Sequence, residues 1–300
     1  MSYQKYLLIA QRSGEHYALG VYLGHKGLYY FTQMEEHAET IPLHQLLHYQ
    51  DCLMCSFEDR ELLTAEDRKQ IKDIGLSFRG RNAWPMFRRY EPGYHPWYIN
   101  QEECVFLTQS LRQTLFVIEK VRSGSFGVDT EHGKNIVRYG KEKDGNLEWF
   151  SKGVKLGYPT VSYKPVEIND DMLIRKIKKA GTRDDIVIQT DICYMPSPVQ
   201  EEKHERPYYP RIFILADKKS GMIMDYEMYR DINEDADVAL HKLINSCLID
   251  GAPSEIQVGS EMMVAIFEDL CKKTGIKLKK VKRLPEIEQF IEGLYTFTRG

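Results

Sequence analysis

His44, His48, Cys52 and Cys55 form the pattern His-x3-His-x3-Cys-x2-Cys. All four are side chains that zinc accepts, and two histidines four residues apart share one face of a helix. The competing reading makes Cys52-Leu-Met-Cys-Ser-Phe an apolar strand whose thiols act as small buried hydrophobes. A second segment with chemistry runs from 78 to 98, where Arg79, Arg81, Arg88 and Arg89 interleave with Phe78, Trp84, Phe87, Tyr90, Tyr94, Trp97 and Tyr98. Guanidinium groups beside exposed rings grip single-stranded nucleic acid by phosphate pairing and base stacking. The expected contact set is Arg79, Arg81, Trp84, Arg88, Arg89, Tyr94 and Trp97, and it would serve a nucleic acid or a protein partner. The same rings packed over a sheet beneath their arginine stems would be purely structural. A third run, Lys272 to Arg283, holds seven basic residues. It reads as a local cationic patch or, preferably, as a lysine-guarded sheet edge. Gly124-Ser-Phe-Gly127 lacks the spacing of a phosphate loop, and no Gly-x-Ser-x-Gly elbow is present.

The 300 residues carry 41 Lys+Arg against 44 Asp+Glu, a formal charge of −3. That balance excludes a globally basic nucleic-acid binder and leaves only local patches. Apolar residues at 42% and charged residues at 28% point to a soluble protein. No stretch approaches the roughly 18 apolar residues that span a bilayer, so no membrane partner is expected. The opening Met1 to Ala10 lacks the features of a signal peptide. A cytoplasmic location follows as the expectation, with the six cysteines as reduced thiols.

These residues need elements to hold them, and the chain length favours two cores. Strand-like runs at Tyr6–Ala10, Tyr17–Leu23 and Leu28–Thr32 suggest a small meander. Leu43–His48 is a short helix candidate, followed by the Cys52–Phe57 strand. Thr64 and Asp67 form a capping-box pattern, and Asn100 with Glu103 opens a long helix. Prolines 85, 92 and 96 argue for an irregular loop over 78–98. Asp144-Gly145 marks a hairpin that connects the two halves. A seam near 165 divides an N-terminal α+β domain (1–165) from a C-terminal mixed α/β domain (166–300). Beyond it come a helix to Lys179, the strand Ile186–Met195, a polar Pro-rich loop and the hairpin 211–228. Helix, strand, helix, strand and helix complete the chain.

That order resembles the ribonuclease H-like fold of integrase and transposase cores. The resemblance is carried by Gln189-Thr-Asp191-Ile-Cys-Tyr-Met-Pro, Ala216-Asp217-Lys-Lys-Ser220-Gly221, Gly251-Ala-Pro253-Ser-Glu-Ile-Gln-Val and Glu268 to Ile276. It implies a mixed-sheet domain in which three carboxylates hold two magnesium ions for phosphoryl transfer. Asp191 matches the first position. Gly259 stands where the second acid is expected, leaving Glu261 as its nearest substitute, and Glu286 or Glu288 is the candidate third. The whole chain also resembles an uncharacterised family of soluble, two-part bacterial proteins. Ser56-Phe-Glu-Asp-Arg60, Phe78-Arg-Gly-Arg81, Trp84-Pro-Met-Phe-Arg88 and Pro92-Gly-Tyr-His-Pro-Trp97 carry that likeness.

The leading expectation is a non-catalytic binding scaffold with a degenerate ribonuclease H-like domain and no cofactor. Its rival is a magnesium-dependent nuclease or phosphoryl transferase using Asp191, Glu261 and Glu286. A third reading is a protein-interaction module acting through the 78–98 aromatic segment.

Overall fold

The computed structural model describes residues 17–36, 47–125, 135–155, 157, 161–203 and 205–298. The chain forms two compact units, Met1–Glu39 with Tyr49–Glu91 and Pro96–Thr160, and Thr40–His48 with Pro92–His95 and Val161–Gly300. The main division between the units falls between 160 and 161, and two short earlier segments group with the second unit.

The first unit is built on a four-stranded sheet of β1 (Ala18–Tyr22), β2 (Cys52–Glu58), β3 (Trp84–Glu91) and β4 (Tyr94–Trp97), in that order. β1 and β3 both run antiparallel to β2. Between β1 and β2 lies α1 (Gly24–Glu36), so the run Leu28–Thr32 is helical and not the expected strand. Its β-prone side chains are overruled by tertiary packing. Leu28 and Thr32, four apart, are both buried, and the Phe31 ring meets Tyr22 at 5.3 Å. Tyr6–Ala10 lies outside the described residues, as does Leu43–Leu46 of the short helix candidate.

Two capping boxes form as their spacing predicts. Thr64 and Asp67 open α2 (Ala65–Asp73), and Asn100 and Glu103 open α3 (Gln101–Arg122). Leu107 of α3 is buried with Leu19, Val21, Leu53 and Cys55, which makes the small core of this unit. The Asp144-Gly145 hairpin is present as β5 (Asn135–Lys143) and β6 (Asn146–Val154), a separate two-stranded ribbon.

The second unit carries a five-stranded mixed sheet in the order β11-β10-β7-β8-β9. The long β7 (Thr182–Tyr194) is central. β8 (Arg211–Asp217) and β9 (Ile223–Tyr229) continue antiparallel on one side. On the other side β10 (Ala252–Val258) and β11 (Lys277–Lys280) run parallel. This is the mixed sheet and element order that the ribonuclease H-like resemblance implies.

Strand alternation sorts the residues of β7 into two faces. Ile188 and Ile192 pack with Phe213, Leu215, Ile256 and Val258 beneath α4 (Asp171–Ala180), α5 (Asp235–Asp250) and α6 (Glu261–Thr274). Cys193 joins Ile212, Ile214 and Ala216 under Ile287 and Ile291 of α7 (Pro285–Thr298). Gln189 and Asp191 share this second face by the same alternation. β11 is an edge strand, and its lysines are the edge guard that the sequence favoured.

Candidate acidic site in the mixed sheet

Thr190 pairs with Val258, so Gly259 follows directly at the level of Asp191, at the carboxyl end of β10, while β7 runs on to Tyr194. That is where open mixed sheets place ligands. A Cβ on Gly259 would sit 2.9 Å from Asp191 Oδ2 and 3.3 Å from a Leu284 methyl. The glycine therefore directly faces Asp191. Asp191 is buried and its Oδ1 accepts the Ile192 N–H at 2.9 Å. Burial pushes its carboxyl up to about 7, against the pull of that hydrogen bond and of the Arg211 charge. A cavity of about 40 Å³ opens beside it, lined also by Lys282, Arg283 and Glu288. That is room for a water or two.

The expected second and third acids do not join Asp191. Glu261 sits in the first turn of α6 behind the N-cap Ser260, and pairs with Lys280 with its side chain more than half exposed. It serves the helix dipole. Glu286 donates its backbone N–H to Gln189 Oε1 at 3.1 Å, while its carboxylate lies 3.0 Å from where a Cβ on Gly221 would be. It faces a separate open cleft of about 420 Å³ with Lys218, Lys219 and Ser220. Glu288 takes the place beside Asp191. On a helix, residues two apart lie about 200° around the axis, so only one of the pair can face the sheet. Glu288 is itself occupied: Arg283 Nε reaches its Oε2 at 3.0 Å and the Leu284 N–H reaches Oε1 at 3.3 Å. A guanidinium thus stands where a cation would have to compete. Among the described residues, no three His, Cys, Asp or Glu side chains gather as a metal ion requires.

The zinc pattern is likewise dispersed. His44 lies outside the described residues, and His48 packs its ring 4.5 Å from that of Tyr194. Cys52 and Cys55 are three apart on β2, hence on opposite faces. Cys55 joins the core, whereas Cys52 bonds Tyr22. Burial pushes their thiols up to about 11 and about 12 respectively, away from the thiolate a metal needs.

The 78–98 segment corrects the loop expectation, since most of it is the β3–β4 pair. Pro85 stands at the start of β3 and Pro96 on the short edge strand β4, the positions where a sheet tolerates proline. Arg88 is buried and grips Asp67 with two bonds of 2.9 and 2.5 Å, its guanidinium 4.8 Å from the Tyr98 ring. Arg89 bonds Asp51 at 2.6 Å and lies 3.4 Å from Glu103. Both belong to the architecture. Arg81 is almost wholly exposed and 4.0 Å from Asp59, and Arg79 is exposed. Trp84 meets Phe78 at 5.9 Å with Arg60 over its ring, Trp97 meets Tyr98 at 5.4 Å, and Tyr94 lies under Arg206 at 4.9 Å.

Two polar arrangements carry no sequence signal, because their members are far apart in the chain. Arg211, fully buried, holds Asp235 through two bonds of 2.6 Å, and Tyr229 donates to the same carboxylate at 2.8 Å. Burial opposes the Arg211 charge, but Tyr194 and Asp235 more than offset it and hold the guanidinium above its ordinary range. Gln189 also donates to Gln257 at 3.3 Å, and Gln257 donates to Glu255 at 2.7 Å. This amide chain ties the start of α7 to the sheet.

Residues 2–138 match a domain of unknown function (DUF7309), and residues 173–295 match a second one (DUF6930). No curated protein matches the chain. Among solved structures, the integrase catalytic core domain of HTLV-2 in complex with magnesium is similar in its trimeric form at 15% identity, TM-score 0.27. That alignment covers 37% of this chain and 66% of the core. The dimeric form gives 15% and 0.26, with 36% and 65% covered. A simian T-cell lymphotropic virus intasome in complex with the PP2A regulatory subunit B56 gamma gives 19% and 0.24, over 39% of this chain and 38% of that one. The chain thus spans just under two thirds of the HTLV-2 cores it matches. The superpositions are loose, and the fold is read from strand order and direction.

Proposed function

We propose that this protein acts by binding and not by metal-assisted phosphoryl transfer, its ribonuclease H-like domain serving as a scaffold. The supporting observation is the 2.9 Å separation between the Cβ position of Gly259 and Asp191 Oδ2. The place of a second acid is occupied by bare backbone pressed against the first. Two metal ions need several hard oxygen ligands and an ionised first acid. Here Glu261 and Glu286 face elsewhere, and desolvation favours the neutral form of Asp191. The domains we assign are 1–165 and 166–300, the second containing the scaffold sheet.

The phosphoryl-transfer reading retains one supporting feature: Asp191 and Glu288 line the same small cavity. A cleavage assay on single-stranded and duplex DNA and RNA with magnesium or manganese separates the two readings. Wild type and Asp191→Asn should both stay at background. Metal-dependent cleavage that disappears in Asp191→Asn would overturn the scaffold reading.

A further inference from the structure

The β5–β6 ribbon has two unlike faces. Arg138 and Ser151 are cross-strand partners on one of them. Arg138 donates to Ser151 at 2.7 Å and twice to Gln113 of α3 at 3.0 and 2.9 Å, with its guanidinium 4.1 Å from the Phe116 ring. That clamp fixes which side of the ribbon is held against the helix. On the opposite face Tyr139 pairs with Phe150, and their rings stack at 5.8 Å and 28°. Strand alternation adds Lys141, Lys143, Lys152 and Glu148 to this face. The lysine ammonium groups lie over the rings, Lys152 at 5.4 Å from Tyr139 and Lys141 at 5.8 Å from both. Phe150 remains 38% exposed.

We propose that this outward face is a binding surface for single-stranded nucleic acid. Two stacked rings offer platforms for unpaired bases, and three lysines against one carboxylate offer charge for the phosphates. Exposed lysine–ring contacts are weaker than base stacking, so a strand can displace ammonium groups from the rings and then pair with them. A protein partner fits less well, because lysines are depleted from the cores of protein interfaces. A duplex fits less well too, because its bases are already stacked and Tyr139 and Phe150 do not offer the bidentate hydrogen bonding of base-edge readers. The surface lies in the first unit and is independent of the Asp191 site.

The test is fluorescence anisotropy of labelled thymidine or uridine homopolymers of about 20 nucleotides, titrated with the full chain in EDTA. Tyr139→Ala/Phe150→Ala should weaken binding about 5- to 150-fold per ring while leaving the salt dependence unchanged. Lys141→Gln/Lys143→Gln/Lys152→Gln should flatten the slope of log affinity against log salt by about 2, at about 0.7 per phosphate contact. Glu148→Gln should tighten binding. Phe150→Leu keeps the apolar packing but removes the stacking, so its loss of affinity with an unchanged far-ultraviolet spectrum separates binding from folding. The proposal is overturned if wild type shows no saturable binding at about 50 mM salt, or if duplex binds as well. It is also overturned if the ring variants bind like wild type. Because metal is absent from this assay, its result is separate from that of the cleavage assay.

Discussion

Replacing Arg88 by methionine leaves Asp67 as an uncompensated carboxylate, 8% exposed, at the third position of α2. The loss of one partner from a buried bidentate pair costs about 3–5 kcal/mol, whereas replacing both members costs far less. With a urea m-value of about 2 kcal/mol/M, the unfolding midpoint should fall by about 2 M. The readout is built in: the chain has three tryptophans, Trp84, Trp97 and Trp149, all in the first unit, so their fluorescence follows that unit. Asp67→Asn on top of Arg88→Met removes the stranded charge but keeps an acceptor for the Thr64 N–H, and should recover most of the loss. The effect also has a pH signature. Burial raises the Asp67 carboxyl, but the hydrogen bonds from Arg88 and Thr64 more than offset it and hold it below its ordinary 3.8. A depressed folded value means that the stabilisation is full above 3.8 and fades as pH falls through the folded value. The gap between wild type and Arg88→Met should therefore narrow in acid. A midpoint that barely moves in Arg88→Met, or a double variant as weak as the single, would refute this reasoning and return Arg88 to the pool of ligand-binding residues.

Asp191 predicts the opposite slope. Its folded carboxyl titrates at about 7 against an ordinary 3.8, so it favours the protonated form in the fold and its contribution is lost as pH rises through about 7. Asp191→Asn should flatten the fall in stability between about pH 4 and 7, and an unchanged pH profile would contradict it. Gly259→Ala places a methyl 2.9 Å from Asp191 Oδ2 and should cost about 1–3 kcal/mol in thermal or urea unfolding. Gly259→Asp should be weaker still in EDTA but recover stability with millimolar manganese, by mass action on a restored acid pair. Protein purified without added zinc should contain the metal at well below stoichiometric levels, and chelator should leave the tryptophan-monitored midpoint unchanged.

Much of the second unit was legible because its signals are local. Asp170 caps α4, the Lys218-Lys219-Ser220-Gly221 turn joins β8 to β9, and Pro285 opens α7. The first unit was less legible because tertiary packing decides it. Leu28-Tyr-Tyr-Phe-Thr has the composition of a strand but the i, i+4 burial of a helix, and only the partners of Leu28 and Thr32 reveal which applies. Proline misled for a similar reason. It breaks a central strand, but β4 is an edge and Pro85 lies near the start of β3.

The candidate sites were harder to read because residue spacing has no geometric meaning until the element is known. Three residues apart is one face of a helix but opposite faces of a strand, and that alone separates Cys52 from Cys55. Two residues apart is one face of a strand but nearly opposite sides of a helix, so Glu288 reaches the Asp191 cavity while Glu286 turns to Gly221. The converse error hid the ring pair on the ribbon, although the hairpin itself was legible from Asp144-Gly145. Tyr139 and Phe150 are separated in sequence by a hairpin turn and form no linear motif, yet register makes them direct cross-strand partners. The Arg and aromatic residues of 78–98 are dense in sequence, but Arg88 and Arg89 have carboxylate partners in α2, α3 and the segment before β2. A cationic side chain is available to a ligand only when its charge is not already matched within the fold. By that criterion the sparser Lys141 and Lys152, which lie over rings and form no ion pair among the described residues, are better placed for a polyanion than the arginines that dominate the sequence.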